Sequence, residues 1–177
     1  QCRSKCNYFA LSAPLAAKSG HGAPGALGDG RCQAVHVRAA GHVHMLHVKI
    51  AVIGVFGVDA LACVVNPPLE FKTTVDAVKE TVAEIQANED VDMIACVNHV
   101  GTWEDPEKSE DEILAKEVPE LDIIVSGHTH TKLDEAIKVG DTYIVSAEDY
   151  GKYLGAIDLT VSDDGKVNFE RYELIPI

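Results

Sequence analysis

Residues 121–131 read Leu121-Asp122-Ile123-Ile124-Val125-Ser126-Gly127-His128-Thr129-His130-Thr131. A short apolar strand runs into a glycine and then presents two histidines at i and i+2. At a strand's end such side chains point the same way, so His128 and His130 can reach one small volume, or two adjacent metals. Imidazole is the commonest protein ligand for transition metals and binds through either ring nitrogen. Gly127 has no Cβ, which lets the chain turn sharply and bring its backbone close to a ligand. The plain alternative is a loop with two solvated histidines. A second strand upstream repeats the layout and argues against it.

That second strand is Val91 to Val97, followed by Asn98-His99-Val100-Gly101. If the two strands are parallel, a crossover must join them, usually a helical one. Ser109 to Val118 reads as that helix, with Ile113, Leu114 and Val118 as its apolar side and Pro119 after its last turn. His99, His128 and His130 then converge on one sheet edge, where open α/β sheets build their sites. Upstream, Val48 to Val55 reads as a buried strand. A helix is predicted over 74–88, where Val75, Val78, Val82 and Ile85 recur at three and four and Thr73 and Asp76 form a capping box. Strands follow over about 142–147, 153–161 and 166–175, with turns at Gly140-Asp141 and Asp163-Asp164-Gly165. The predicted class is α/β: parallel strand–helix units, then an antiparallel meander.

Six stretches, taken in order, carry a resemblance: 48–54, Asn98-His99-Val100-Gly101, 118–122, 126–131, Tyr150-Gly151-Lys152-Tyr153-Leu154-Gly155 and the closing Leu174-Ile175-Pro176-Ile177. They resemble the later part of the catalytic domain of the metallophosphoesterase superfamily, and more narrowly the 5'-nucleotidase and UDP-sugar hydrolase family. The resemblance implies that residues 48–177 are the C-terminal portion of an α-β-β-α sandwich. It implies a metal-dependent phosphoric ester hydrolase acting on nucleotides or related phosphoesters, exported, periplasmic or cell-surface. It also implies two divalent metal ions (Mn, Zn, Fe or Co), with His99 and His128 on one and His130 on the other. Water activated by such ions needs no side-chain nucleophile, and no catalytic residue is identified in this chain.

The departures are as informative. The family's Asp-x-His, Gly-Asp-x-x-Asp and Gly-Asn-His-Glu/Asp motifs have no match in residues 1–47. Its carboxyl-terminal domain, which stacks the nucleobase, is missing too. Asn98-His99, 29 residues before His128, fits the later histidine ligand. Three imidazoles over two metals leave both underligated, so little activity is expected of this chain alone. The alternative is a pseudoenzyme or fragment that binds metal weakly and needs a partner chain.

Residues 1–47 read as an atypical lead-in. They carry five Lys/Arg against one acid, whereas the rest carries ten against twenty-seven. Between Ser12 and Ala40 no helical or strand period is sustained. A disordered lead-in and an out-of-frame junction both account for that. Cys2-x3-Cys6 with Cys32-x3-His36 has the spacing of a structural zinc site but no compact supporting pattern, so it is not read as one. Gly41-His42-Val43-His44, with Val35 and Val37, reads as an edge strand with exposed histidines. Tyr8 to Ala17, after Arg3 and Lys5, is a faint signal-peptide core. Five cysteines at irregular spacing are no disulfide framework; Cys63 and Cys96 read as buried thiols.

Length and composition bound the rest. At 177 residues and 46% apolar, the chain can build one domain with a real core. No apolar run approaches the ~20 residues of a membrane span. A net charge of −13 argues against nucleic acid, whose phosphates need clustered Lys/Arg, and suits divalent cations. The expected partner is a small phosphoester or nucleotide. The acidic run Glu104, Asp105, Glu107, Glu110, Asp111 and Glu112 reads as a solvated loop and helix face. Asp122 reads as solvated or capping, and Trp103 as a loop cover or a base-stacking ring. Glu148 and Asp149 stand where a carboxylate could orient a histidine, but the position departs from the family and neither is assigned that role.

Overall fold

The computed structural model describes residues 8–12, 32–36, 47–65, 71–162 and 166–177. The elements run β1 (Tyr8–Ser12), β2 (Cys32–His36), β3 (His47–Phe56), α1 (Val58–Ala62), α2 (Thr74–Asn88), β4 (Met93–His99), α3 (Glu110–Glu117), β5 (Ile123–Val125), β6 (Ile137–Val139), β7 (Thr142–Val145), β8 (Tyr153–Val161) and β9 (Val167–Pro176). A six-stranded sheet has the order β2-β3-β4-β5-β7-β6, and a second sheet the order β1-β8-β9. β3, β4, β5 and β7 are mutually parallel. The edge pairs β2–β3 and β6–β7 are antiparallel.

Parallel strands covered on both faces need apolar residues at successive positions, which is why β4 and β5 read as unbroken apolar runs. Ile94, Cys96 and Ile124 pack with Val78 and Val82 of α2 and Leu114 of α3. Their neighbours Met93, Ala95 and Ile123 face Ile157 and Leu159 of β8 and Tyr172 of β9. The layers are therefore helices, main sheet, second sheet. At the start of α2, the Thr73 hydroxyl accepts from the Asp76 N–H at 3.2 Å and donates to the Asp76 carboxylate at 2.6 Å, a variant of the expected capping box.

Three local expectations change. The segment over 142–147 does not enter a meander: β7 joins the main sheet parallel to β5, because Ile144 and Val145 are buried on opposite faces. The antiparallel part contracts to the β8–β9 hairpin. β6 was too short to show a period, although the Gly140-Asp141 turn marks its end. Cys63 is exposed, just past the end of α1, while Cys96 is buried with its thiol raised to about 12, mainly by desolvation. β2 pairs at the sheet edge through its backbone; Cys2, Cys6 and Gly41 to His44 lie outside the described residues. Among the described residues no helix is long and apolar enough to cross a membrane.

Leu114 is wholly buried where α3 meets the sheet. Leu114→Ala is expected to cost about 2–5 kcal/mol, read from urea unfolding. A loss under about 1 kcal/mol would contradict the packing described.

Candidate metal centre

The carboxyl ends of β3, β4, β5 and β7 meet at one edge. β3 runs into Gly57, whose N–H donates to the His99 carbonyl at 3.0 Å, and α1 follows with Asp59 in its first turn. β4 ends on His99, and the loop after β5 carries His128 and His130. His99 Nε2 and His128 Nδ1 lie 3.1 Å apart, with the rings edge to face. The other nitrogen of His128, Nε2, meets an Asp59 carboxylate oxygen at 2.8 Å. His130 Nδ1 pairs with Asp149 at 3.2 Å. The three predicted histidines thus resolve into a close pair, His99–His128, and a third held by its own carboxylate. Burial first, then the neighbouring His128 and His130, push the His99 pKa below its ordinary value, which favours the neutral imidazole that a metal needs.

Asp59 was missed from the sequence. The cue was present: a third apolar strand ending in glycine, with an acid two residues on. Glu148 and Asp149 were weighed together and given no role; of the two, it is Asp149 that pairs with His130. Among the described residues no three His, Cys, Asp or Glu side chains gather around a common point. The arrangement is two carboxylate–imidazole pairs.

The backbone differs from the expected extended run. His128 and His130 have φ of 75° and 57°, and Glu148 and Tyr150 on the facing loop have 61° and 58°. Non-glycine residues hold such angles at a cost of about 1–3 kcal/mol each, and they cluster at functional sites. The sharp turn is therefore taken by His128 itself. Gly127 serves close approach instead: a Cβ there would lie 2.9 Å from the Asn98 carbonyl oxygen.

A buried carboxylate organises these loops. Asp111 is wholly buried and accepts from Asn98 Nδ2 at 2.6 Å, from Thr102 Oγ1 at 2.8 Å and from the Ser126 hydroxyl. Reading the acidic run as solvated throughout is thus wrong at Asp111. On α3 it stands three and four residues before Leu114 and Ala115, so helical geometry turns it to the core side. Burial raises its pKa and the donors oppose the rise. Beyond it, Thr129 Oγ1 accepts from the Thr102 N–H at 3.2 Å, and Thr131 Oγ1 donates to the Thr102 carbonyl at 3.0 Å. The two threonines interleaved with the histidines anchor the loop. At the far end of the sheet, Asp122 Oδ2 caps the Ile94 N–H at 2.7 Å.

No protein-family model matches the chain. It is 32% identical over 130 residues to the trifunctional nucleotide phosphoesterase protein YfkN of Bacillus subtilis, covering 71% of this chain and 8% of that protein. It is 32% identical over 157 residues to a 5'-nucleotidase of Vibrio cholerae, covering 73% of this chain and 28% of that enzyme. The crystal structure of a 5'-nucleotidase precursor from Thermus thermophilus superposes with a TM-score of 0.61 at 22% identity, over 76% of this chain and 29% of that one. These likenesses place the chain in the metallophosphoesterase superfamily. Within that superfamily the chain belongs to the 5'-nucleotidase family, a family of hydrolases, as part of its catalytic domain. It spans under a third of the length of the curated relatives named here.

Asp111→Ala would take an acceptor from Asn98, Thr102 and Ser126, at about 1–3 kcal/mol for each donor left unpaired, although Thr102 Oγ1 keeps Ser126 Oγ at 3.0 Å. It is expected to lose about 3 kcal/mol in urea unfolding, and Asp111→Asn less. A loss below about 1 kcal/mol for Asp111→Ala would remove the carboxylate from its organising place.

Proposed function

We propose that the chain is the histidine-bearing portion of a metal-dependent phosphoric ester hydrolase of the 5'-nucleotidase type, acting on nucleotides or related phosphoesters. The observation that carries this is the 3.1 Å separation of His99 Nε2 and His128 Nδ1. Two nitrogens bound tetrahedrally to one ion at about 2.0–2.1 Å stand roughly 3.3 Å apart, so the pair fits one divalent ion with little movement. Asp59 holds the far nitrogen of His128, the way carboxylates orient metal-binding imidazoles, and leaves Nδ1 to the ion. Asp149 does the same for His130, whose Nε2 is left for a second ion. When bound, two such ions supply Lewis acidity toward the phosphoryl oxygens and an acidified water. The chain's own part is to keep the imidazoles in place and to orient their ring nitrogens. The printed name of the Bacillus relative, a nucleotide phosphoesterase, supports the substrate class.

A second reading is that the chain binds metal weakly and needs a partner chain to act. It is favoured by the ligand count, because the described residues form pairs rather than a closed cage.

Metal analysis after dialysis against zinc or manganese tests the assignment. His128→Ala should lose most of the bound metal, and Asp59→Ala should bind about 10–100-fold more weakly. His42→Ala and His44→Ala should lose little. Equal metal content in all four variants would count against His128 as a ligand.

Turnover of a nucleoside monophosphate and an aryl phosphate by this chain alone is expected to be slight. A missing general acid by itself costs about 10²–10⁴ in rate, and the family's counterpart has no match in this sequence. Robust turnover, abolished by His128→Ala, would show that residues 1–47 contribute to the site.

A further inference from the structure

α1 has only five residues, and the first N–H groups of any helix lack partners within it. Gly57, the residue before α1, has no side chain with which to cap it. The cap comes from another element. Glu110, in the first turn of α3, accepts the Val58 N–H on Oε2 at 3.2 Å, across 52 residues of sequence. A carboxylate there also meets the positive end of the helix dipole. Gly57 makes room for that approach. Its φ of −83° suits any residue, yet a Cβ would lie 2.5 Å from Glu110 Oε2 and 2.7 Å from Val100 Cα.

The next residue of α1 is Asp59, whose carboxylate meets His128 Nε2 at 2.8 Å. A helix this short does not persist in water by its own hydrogen bonds, so Asp59 is only as fixed as the contacts that hold α1. Ala60 is buried, the Gly57 N–H donates to the His99 carbonyl at 3.0 Å, and Glu110 takes the Val58 N–H. Adjacent residues of α3 thus reach different parts of the site. Asp111 turns inward to Asn98, Thr102 and Ser126, and Glu110 reaches across to α1.

We propose, on the metal reading above, that Glu110 is a positioning residue: by capping α1 it keeps Asp59 on His128 Nε2, and so keeps Nδ1 turned toward His99. By calorimetry, Glu110→Ala should bind zinc about tenfold more weakly, within the range that losing an orienting partner costs. Glu110→Gln, whose amide oxygen can still accept the Val58 N–H, should bind nearly as the wild type does. In an Asp59→Ala background, Glu110→Ala should cost nothing further, because residues that act through one another are not additive. In the metal-free protein, the ring-nitrogen chemical shifts of His128 should move in Glu110→Ala toward those of Asp59→Ala, and stay in place in Glu110→Gln. His128 shifts unchanged in Glu110→Ala overturn the inference and leave the metal reading standing. So do an equal loss of zinc affinity with and without Asp59, and a Glu110→Gln protein as weak as Glu110→Ala. If the wild-type chain binds no zinc, the metal reading falls and the His128 shifts alone decide the part of Glu110.

Discussion

The Asp111 carboxylate is the constraint on which the rest of the site depends. A carboxylate this deep is expensive unless every lone pair is used, and here the donors come from three separate places: the end of β4 (Asn98), the loop after it (Thr102) and the end of β5 (Ser126). One helical side chain thereby fixes the spacing between the two strands that deliver His99 and His128. α3 is short, and its contribution to the site is to bring this group inward while Leu114 and Ala115 seal the layer behind it.

That anchoring offsets backbone strain. Four non-glycine residues in left-handed conformation stand on two facing loops. Such angles persist where surrounding structure over-determines them. The hydroxyls of Thr129 and Thr131, bound to Thr102, supply part of that surrounding. A rigid sheet with restrained loops is the usual platform for a binding site, and here it holds His99 and His128 near one another.

The carboxylates divide the labour. Asp59 and Asp149 each pair with one histidine at the rim, where a charged partner sets which ring nitrogen faces inward. Asp111 never reaches the rim and works through hydrogen bonds alone. His130 stands apart from the His99–His128 pair, and His128 and His130 meet different acids from different elements, α1 in one case and the loop after β7 in the other.

Much of this was legible along the chain, because the information is local. Apolar runs marked β3, β4 and β5. The three-and-four spacing with Thr73 marked α2 at its observed limits. Glycine beside histidine marked both strand ends. Asp111 was legible in principle, since its helical register with Leu114 turns it inward, but a run of acids obscured it. What lay beyond reach was partnership across sequence distance. Asp59 stands 69 residues from His128, and nothing near it names its partner. The parallel placement of β7 is likewise a matter of which sheet edge stands open. Periodicity is a property of neighbours in sequence, so the sequence by itself determined β3 to β5, β7 to β9, α2, α3 and the candidate histidines. Hydrogen bonds and ion pairs belong to neighbours in space, so only the tertiary structure decided which acid holds which histidine and how the strand ends are drawn together.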